Sequence, residues 1–326
     1  MEAGWCRVLV DIAVLGAINW DINLFVERFP EVGEEVPVYR ITRVPGGKAA
    51  NVAVAAARVL GPNRAALIGC LGKDDIAEVQ VSILQDEGVV TSGIKMLEGE
   101  ESGQAYILID RYGRNMINTF FGANLRLSPS DLHNPEIESL LEEAQIITVI
   151  DPPVETIREA ASFGKWLGKT VIWDAGVRST LGIKTLREVL AEVDYVVLNR
   201  VEVKNLTGVE NPATARKRLS EVNSEIRLIA KLGEKGCVMV GPKETIKVRG
   251  VNLSRLGMKV VNTVGCGDAF LGVFAASRAE GFNDKEALER ANLAGAIKAT
   301  RHETRGSPTR MELERFLEFK EVGETT

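Results

Sequence analysis

Histidine is nearly missing from these 326 residues, with only His133 and His302 present. A histidine-rich metal centre is thereby excluded, and a Ser-His-Asp nucleophile has almost no imidazole to draw on. Cysteine is scarce too. Cys6, Cys70, Cys237 and Cys266 are scattered without a CxxC pair, so neither a zinc site nor a disulfide framework is written here, a pattern that suits a reducing cytoplasm. Neither sign of charge dominates, since 40 basic residues stand against 45 acidic ones for a net charge of −5. No run would cradle a polyanion or coat an anionic membrane, so no nucleic-acid and no membrane partner is expected. Long hydrophobic runs are absent as well: no window reaches the roughly 20 apolar residues that span a bilayer. The N-terminal segment VLVDIAVLGAI is interrupted by Asp11 and lacks a small-residue cleavage site, so it reads as a first buried strand rather than a signal peptide. A soluble, cytoplasmic chain is the expectation.

What is present is alternation. Short β-branched runs such as IITVI (146–150), TVIWDA and YVVLN are separated by helix-like VETIREAASFGKWLG and TLREVLAEV. Strand, helix, strand repeated in this way predicts right-handed crossovers and a doubly wound, mainly parallel α/β sheet flanked by helices. The pattern continues through TARKRLSEV, IRLIAKLG and CVMVG to the helix after GCGDAF. Residues 22–47 and 102–124 behave differently, with strand-like alternation broken by Gly, Pro and acidic residues, and RYGRN reads as a turn. They predict antiparallel hairpins forming a small β lid. The division expected is therefore a core of 1–21, 49–101 and 125–320, a lid of 22–48 and 102–124, and a frayed tail of 321–326.

Glycine loops are mostly ordinary turns, so each has to be weighed. GKWLGKT (164–170) is one residue short of the GxxxxGKS/T phosphate loop and lies after a helix and before a strand, which makes Gly168 a helix stop. In TVGCGDAF (263–270), Phe270 occupies the place of the third glycine of a dinucleotide fingerprint. What the string does support is a turn whose backbone N–H groups open at the N-terminus of an apolar helix, where negative charge is favoured. Asp268 sits at that mouth. Either it merely caps the helix, or it accepts a proton from a hydroxyl attacking a phosphoryl group held by the neighbouring amides, and the local string prefers neither reading.

TVGCGDAF resembles the C-terminal signature DTxGAGD of the ribokinase (PfkB) family of sugar and nucleoside kinases. The family's second signature, GG followed by Asn four residues on, is matched by Gly46, Gly47 and Asn51 in PGGKAANVAVAAARVLG, more than two hundred residues upstream. GAINWDINLFVERFPEVGEEV is similar to the family's opening strand and lid, GANLRLSP to a segment typical of ribokinases, LNRVE to the NxxE motif and KLGEKG to the nucleotide-side loop. The resemblance implies Asp268 as catalytic base and the amides of Gly265, Cys266 and Gly267 as the anion hole. It implies acceptor contacts from Asn19, Asp21, Gly46, Gly47, Lys48 and Asn51, and nucleotide contacts from Asn199, Lys231, Gly233, Gly236, Gly267 and Asn292, with ANLAGAIKAT walling the base. Glu202 would help hold Mg²⁺ through water; as an isolated pair, Asn199 and Glu202 would be read as solvated surface. Pro45-Gly46-Gly47 resembles a hinge for lid closure.

An ATP-dependent, Mg²⁺-dependent kinase acting on the primary hydroxyl of ribose or a ribose-like sugar is thus the expectation, and a homodimer through the lid. A nucleoside kinase or a sugar-phosphate kinase using Lys48, Arg43 or Arg114 on the extra phosphate is the nearest alternative; a sugar-binding homologue without catalysis and a dehydrogenase are the other classes. Two departures from the pattern stand out. Lys231 replaces the threonine often found before LGEKG, and Asn262 replaces the first aspartate of DTxGAGD, which in ribokinases helps bind an activating monovalent cation. Losing that charge puts potassium activation in doubt.

Overall fold

A computed structural model describes residues 10–324 of the chain. It opens with β1 (Ile12–Gly16), β2 (Asn19–Val26) and β3 (Val38–Gly46), and α1 (Lys48–Leu60) then leads to β4 (Ala65–Gly72). α2 (Asp75–Asp86), the short β5 (Val89–Val90) and β6 (Ile94–Leu97) precede a hairpin of β7 (Gly103–Ile109) and β8 (Asn115–Phe120). Regular alternation comes next: α3 (Pro135–Glu143), β9 (Ile146–Ile150), α4 (Val154–Trp166), β10 (Thr170–Asp174), α5 (Gly182–Thr185), α6 (Arg187–Glu192), β11 (Tyr195–Asn199), α7 (Arg200–Thr207), α8 (Pro212–Leu219) and β12 (Arg227–Lys231). The C-terminal part holds β13 (Gly236–Val240), β14 (Thr245–Arg249), α9 (Cys266–Ala279), α10 (Asp284–Ala299) and α11 (Arg310–Glu324).

The main sheet has the order β14-β13-β12-β11-β10-β9-β1-β4-β5, with β6 also paired to β4. It is parallel from β12 to β5 and antiparallel only at β12–β13–β14. The antiparallel end has a simple cause: the loop Leu232–Lys235 joining β12 to β13 is far too short for a parallel crossover. β1 shows how the sheet divides its side chains with period two. Ile12 and Val14 enter the core shared with α1, α2, α9 and α10, whereas Ala13 and Leu15 enter the core under α3, α4, α6, α7 and α8. As expected, α4 stops at a left-handed Gly168 (φ 69°), so GKWLGKT is a helix end.

The small sheet has the order β3-β2-β7-β8. β2–β3 and β7–β8 are antiparallel as expected, and the turn between the latter is closed at Asp110–Arg114. The two pairs are joined by a parallel β2–β7 contact. This sheet begins at Asn19 rather than at residue 22, which places Asn19 and Asp21 in the small sheet and not in the expected core segment. The tail also differs, since α11 continues through Glu324; Thr325, Thr326 and Cys6 lie outside the described residues.

The crossing of α1 and α9 is the packing contact that positions the site. α1 is rich in alanine and α9 carries Gly272, where an added Cβ would come 2.5 Å from the Val52 carbonyl and 2.6 Å from the Ala55 Cβ. Only small residues allow the two helices to cross this closely. The crossing brings the N-terminal turns of both helices, with Lys48 and Asn51 on one and Asp268 on the other, to the same spot.

Candidate active site

Most of the polar groups that converge here sit where parallel strands end. Asp151 follows β9, Asp174 ends β10 and Lys231 ends β12, while Glu202 lies in the first turn after β11. The carboxyl ends of parallel strands are where open α/β sheets leave a crevice, since each chain turns away there into its helix. Into the same crevice point the N-termini of α1 and α9.

Asp268 is fixed by one side-chain bond, with Asn51 Nδ2 donating to its Oδ2 at 2.8 Å. It does not cap α9: the helix starts from Gly265, in the left-handed region (φ 82°), with no side-chain cap bond. The capping reading left open by the sequence is therefore removed. The Cys266 amide donates to the Thr263 carbonyl at 3.3 Å. Among the described residues no carbonyl or side chain accepts from the amides of Gly265, Gly267 and Asp268. The free donors thus differ by one from those expected, with the Asp268 amide available and that of Cys266 partly occupied by the tight turn. Burial pushes the Cys266 thiol up to about 11, so its sulfur is an un-ionised, idle group.

Asn51 is held in turn. Arg305 Nε donates to Asn51 Oδ1 at 3.0 Å, and Arg305 Nη2 donates to the Gly46 carbonyl at 2.7 Å and to Gln80 Oε1 at 3.1 Å. Arg305 is 6% exposed, and burial lowers its pKa to about 10 against the opposing pull of Asp21. Gln80 Nε2 donates to the Asn19 carbonyl, and Asn124 Nδ2 donates to Asn19 Oδ1 at 2.8 Å. Asn19, Gly46 and Asn51 are thereby tied into one network around Arg305. Gly46 is dictated by space, because a Cβ there would fall 2.1 Å from Asp21 Oδ1; at Gly47 it would fall 2.6 Å from the Ala17 carbonyl. Both glycines are dictated by their close fit against β2 and the turn between β1 and β2.

The electrostatics are uneven. Four carboxylates, Asp151, Asp174, Glu202 and Asp268, surround two ammonium groups, Lys48 and Lys231. Lys48 Nζ pairs with Asp151 Oδ2 at 3.1 Å and Lys231 Nζ with Asp174 Oδ2 at 2.8 Å. Burial raises the pKa of Asp268, of Asp151 and of Glu202, and Asp174 acts on each in the same sense. Burial acts on Asp174 in the same sense, yet Lys231 and Lys48 outweigh it and hold its carboxyl below the usual range. Asp151 Oδ1 is buried without a hydrogen-bond partner, and its backbone is left-handed (φ 62°). The cluster is short of positive charge. No group of three or more ligating side chains is assembled for a metal among the described residues. A donor set of this kind suits a hydrated Mg²⁺ carried in on phosphates better than a protein-caged ion.

Beside the cluster lies a cavity of about 790 Å³ that Lys231, Gly233, Gly236, Cys266, Gly267 and Asn292 help to line. Lys231 closes its inner end: an added Cβ on Gly267 would lie 3.3 Å from Lys231 Nζ. Asn292 donates to the Arg249 carbonyl at 2.9 Å and so ties α10 to the end of β14. Asn199 does not line the cavity. Its Oδ1 accepts from the amides of Val201 and Glu202 while Glu202 Oε2 accepts from the Asn199 amide, a capping box that orients Glu202. Of the suggested phosphate-binding cations on the small sheet, Arg114 is bound to Asp110 at the β7–β8 turn and Arg43 is exposed. Sequence reasoning missed Asp151, Asp174, Gln80, Asn124 and Arg305. Asp151 and Asp174 carried a usable signal, an acid directly at the end of an apolar strand; Arg305 lies in a coil with none.

A family model, pfkB family carbohydrate kinase, matches residues 10–310. Over 319 residues the chain is 30% identical to a ribokinase of Haemophilus influenzae, covering 94% of this chain and 98% of that protein. It is 29% identical to an ATP-dependent ribose-1-phosphate kinase of Halopiger xanaduensis, covering 95% and 98%. The structure of an Arabidopsis thaliana ribokinase complexed with ribose and ATP superimposes with a TM-score of 0.83 at 26% identity, covering 94% of this chain and 98% of that one. The chain belongs to the pfkB family of carbohydrate kinases, and is a phosphotransferase of mixed α/β fold.

Asp21 supplies a test. Burial pushes its carboxyl from 3.8 to about 7, with Arg305 pulling down and Asp268 pushing up. Between these values the native state holds a proton that the unfolded chain has released, so this contribution to stability is full at acid pH and is lost as pH rises toward 7. It amounts to at most ~4 kcal/mol. Urea unfolding at acid and at mildly alkaline pH should show wild type losing stability relative to Asp21→Asn; curves that stay parallel would contradict the assignment.

Proposed function

We propose that this pfkB-family kinase transfers the γ-phosphate of ATP to the primary hydroxyl of ribose or a closely similar sugar, with Asp268 as the base. The observation that carries the reading is the placement of Asp268: a carboxylate steered by Asn51, at a helix mouth with free amides, between the cavity by Lys231 and the Asn19–Asp21–Gly46 network. In the reaction a bond forms from the acceptor oxygen to the γ-phosphorus and the bond from that phosphorus to the β-phosphate oxygen breaks. The proton of the hydroxyl passes to Asp268, and ADP departs. Burial makes Asp268 a stronger base than a free carboxylate, which suits this task. The amides of Gly265, Gly267 and Asp268 favour charge on the transferred group, and Lys231, paired with Asp174, is a further phosphate contact.

Mg²⁺, held through water by Glu202, would neutralise the phosphates when bound. Asn19, Asp21 and Asn51 accept and donate to the sugar hydroxyls, and Lys48, pinned by Asp151, adds positive charge beside Asp268. Ribose bound with ATP in the Arabidopsis relative supports this acceptor. A second reading, a ribose 1-phosphate kinase, is favoured by the Halopiger relative. A homodimer through the lid also belongs to the proposal. Ile41, Tyr106, Met116 and Phe120 lie on the sheet face opposite Asp21 and are 39–51% exposed, an apolar patch suited to a second copy. No described helix is long and apolar enough to cross a membrane, and Cys70, Cys237 and Cys266 are free thiols, as a cytoplasmic enzyme would have them.

Asp268→Asn should lower kcat by about 10²- to 10⁴-fold while leaving sugar affinity by calorimetry within a few fold, and retained turnover would show the base to be wrong. Across ribose, ribose 1-phosphate, fructose 6-phosphate, adenosine, cytidine and inositol, ribose should give the highest kcat/KM; equally feeble rates on all would remove it as the acceptor. Light scattering at micromolar concentration should return twice the chain mass of 35.5 kDa, and a monomer would refute the lid interface.

A further inference from the structure

Lys298, on α10, is 0% exposed, although lysines are almost never fully buried without an acid partner. Among the described residues no carboxylate lies within ion-pair distance. Its Nζ instead donates to two backbone carbonyls, that of Asn262 at 3.0 Å and that of Arg301 at 3.4 Å. Burial lowers its pKa, while Cys266, Glu303 and Asp268, all at longer range, act to keep it charged. A buried ammonium held by two carbonyl oxygens resembles a bound monovalent cation, with the charge supplied by a tether.

The surrounding segments give this position its consequence. Asn262 begins the loop that becomes the anion hole, and Arg301 begins the loop that ends at Arg305, the residue that holds Asn51. The two segments are laced together. Asn262 Nδ2 donates to the His302 carbonyl at 2.8 Å, the Val264 amide donates to Asn262 Oδ1 at 3.0 Å, and Gly265 abuts the Thr304 carbonyl so closely that a Cβ would come within 2.3 Å. A metal ion seated here would need these carbonyls and an acidic oxygen. Three carbonyls are already taken by protein N–H groups, and the side chain at 262 brings a donor in place of a negative charge. The residues present therefore do not fit a monovalent metal ion.

We propose that the Lys298 ammonium is a resident cation that fixes the anion-hole loop against the Arg301–Arg305 loop, so that turnover needs neither K⁺ nor Na⁺. Lys298 is a positioning residue: it touches no substrate and acts through the Gly265–Asp268 turn and, by way of Arg305, through Asn51. The inference rests on the kinase reading above. A neutral side chain in its place would leave buried carbonyls unsatisfied and open a space that a small free cation can enter.

The experiment is a salt comparison on the whole protein, with ADP read by chromatography because common coupling enzymes themselves require K⁺. Wild-type turnover should change less than about twofold when about 100 mM choline chloride is replaced by KCl. Lys298→Ala should lose about tenfold or more in choline and recover several-fold in KCl or NH₄Cl but not in LiCl. Melting curves give an independent readout: wild type should melt alike in K⁺ and choline, and Lys298→Ala should be raised by K⁺ or NH₄⁺. Strong K⁺ stimulation of wild-type turnover or melting overturns the proposal, as does a Lys298→Ala enzyme that is fully active in choline or that no small cation restores. If the variant does not fold, the wild-type salt comparison decides alone. Failure of every acceptor in every salt would count against the kinase reading, and the wild-type melting curves would still test this one.

Discussion

The hydrogen bond from Asn51 to Asp268 is the contact on which the rest of the site depends, because among the described residues it is the only one that steers the carboxylate. It joins residues 217 positions apart in the chain, so it exists only if α1 and α9 cross closely. That closeness is set by the alanines of α1 and by Gly272 on α9. It also requires Asn51 to present its amide nitrogen to Asp268, and the Arg305 bond to Asn51 Oδ1 leaves no other choice of rotamer face. One buried arginine thus holds both the Gly46 carbonyl and, through one asparagine, the Asp268 carboxylate.

Electrostatics complete the arrangement. Four carboxylates against two ammonium groups is an unstable balance in a partly buried crevice, and it is tolerable because each lysine is pinned to one acid and because phosphates would arrive with a divalent ion. Burial raises the pKa of Asp268, helped by Asp174 and opposed by Asn51, Lys48 and Lys231. On the far side of the Gly265–Asp268 turn the problem is reversed, since backbone carbonyls converge with no carboxylate of the described residues in ion-pair distance, and Lys298 meets them. Both solutions place a fixed charge where the backbone cannot move away.

Much of this was legible in the sequence, for physical reasons that differ by residue. Alternating apolar runs and amphipathic stretches foretold the parallel sheet because burial on both faces forces that pattern. Gly46, Gly47, Asn51 and Asp268 were visible because turns and helix starts concentrate their requirements into a few adjacent letters. Glu202 was visible through the family motif, but its capping box with Asn199 went unremarked although the spacing carries it. The parallel β2–β7 join was hidden, since strand pairing across some 80 residues leaves no local trace. Arg305 and Lys298 were hidden more deeply. One lies in a coil and the other inside a helical pattern, and nothing in either neighbourhood distinguishes a buried functional cation from a surface one.

The most direct measurement is a crystal structure of the protein with ribose and a non-hydrolysable ATP analogue. The account predicts the terminal phosphate within hydrogen-bond distance of the amides of Gly265, Gly267 and Asp268, Lys231 turned toward it, and the primary hydroxyl of the sugar on the Asp268 carboxylate. A terminal phosphate bound away from the α9 turn, or a sugar whose primary hydroxyl lies beyond reach of Asp268, would contradict it.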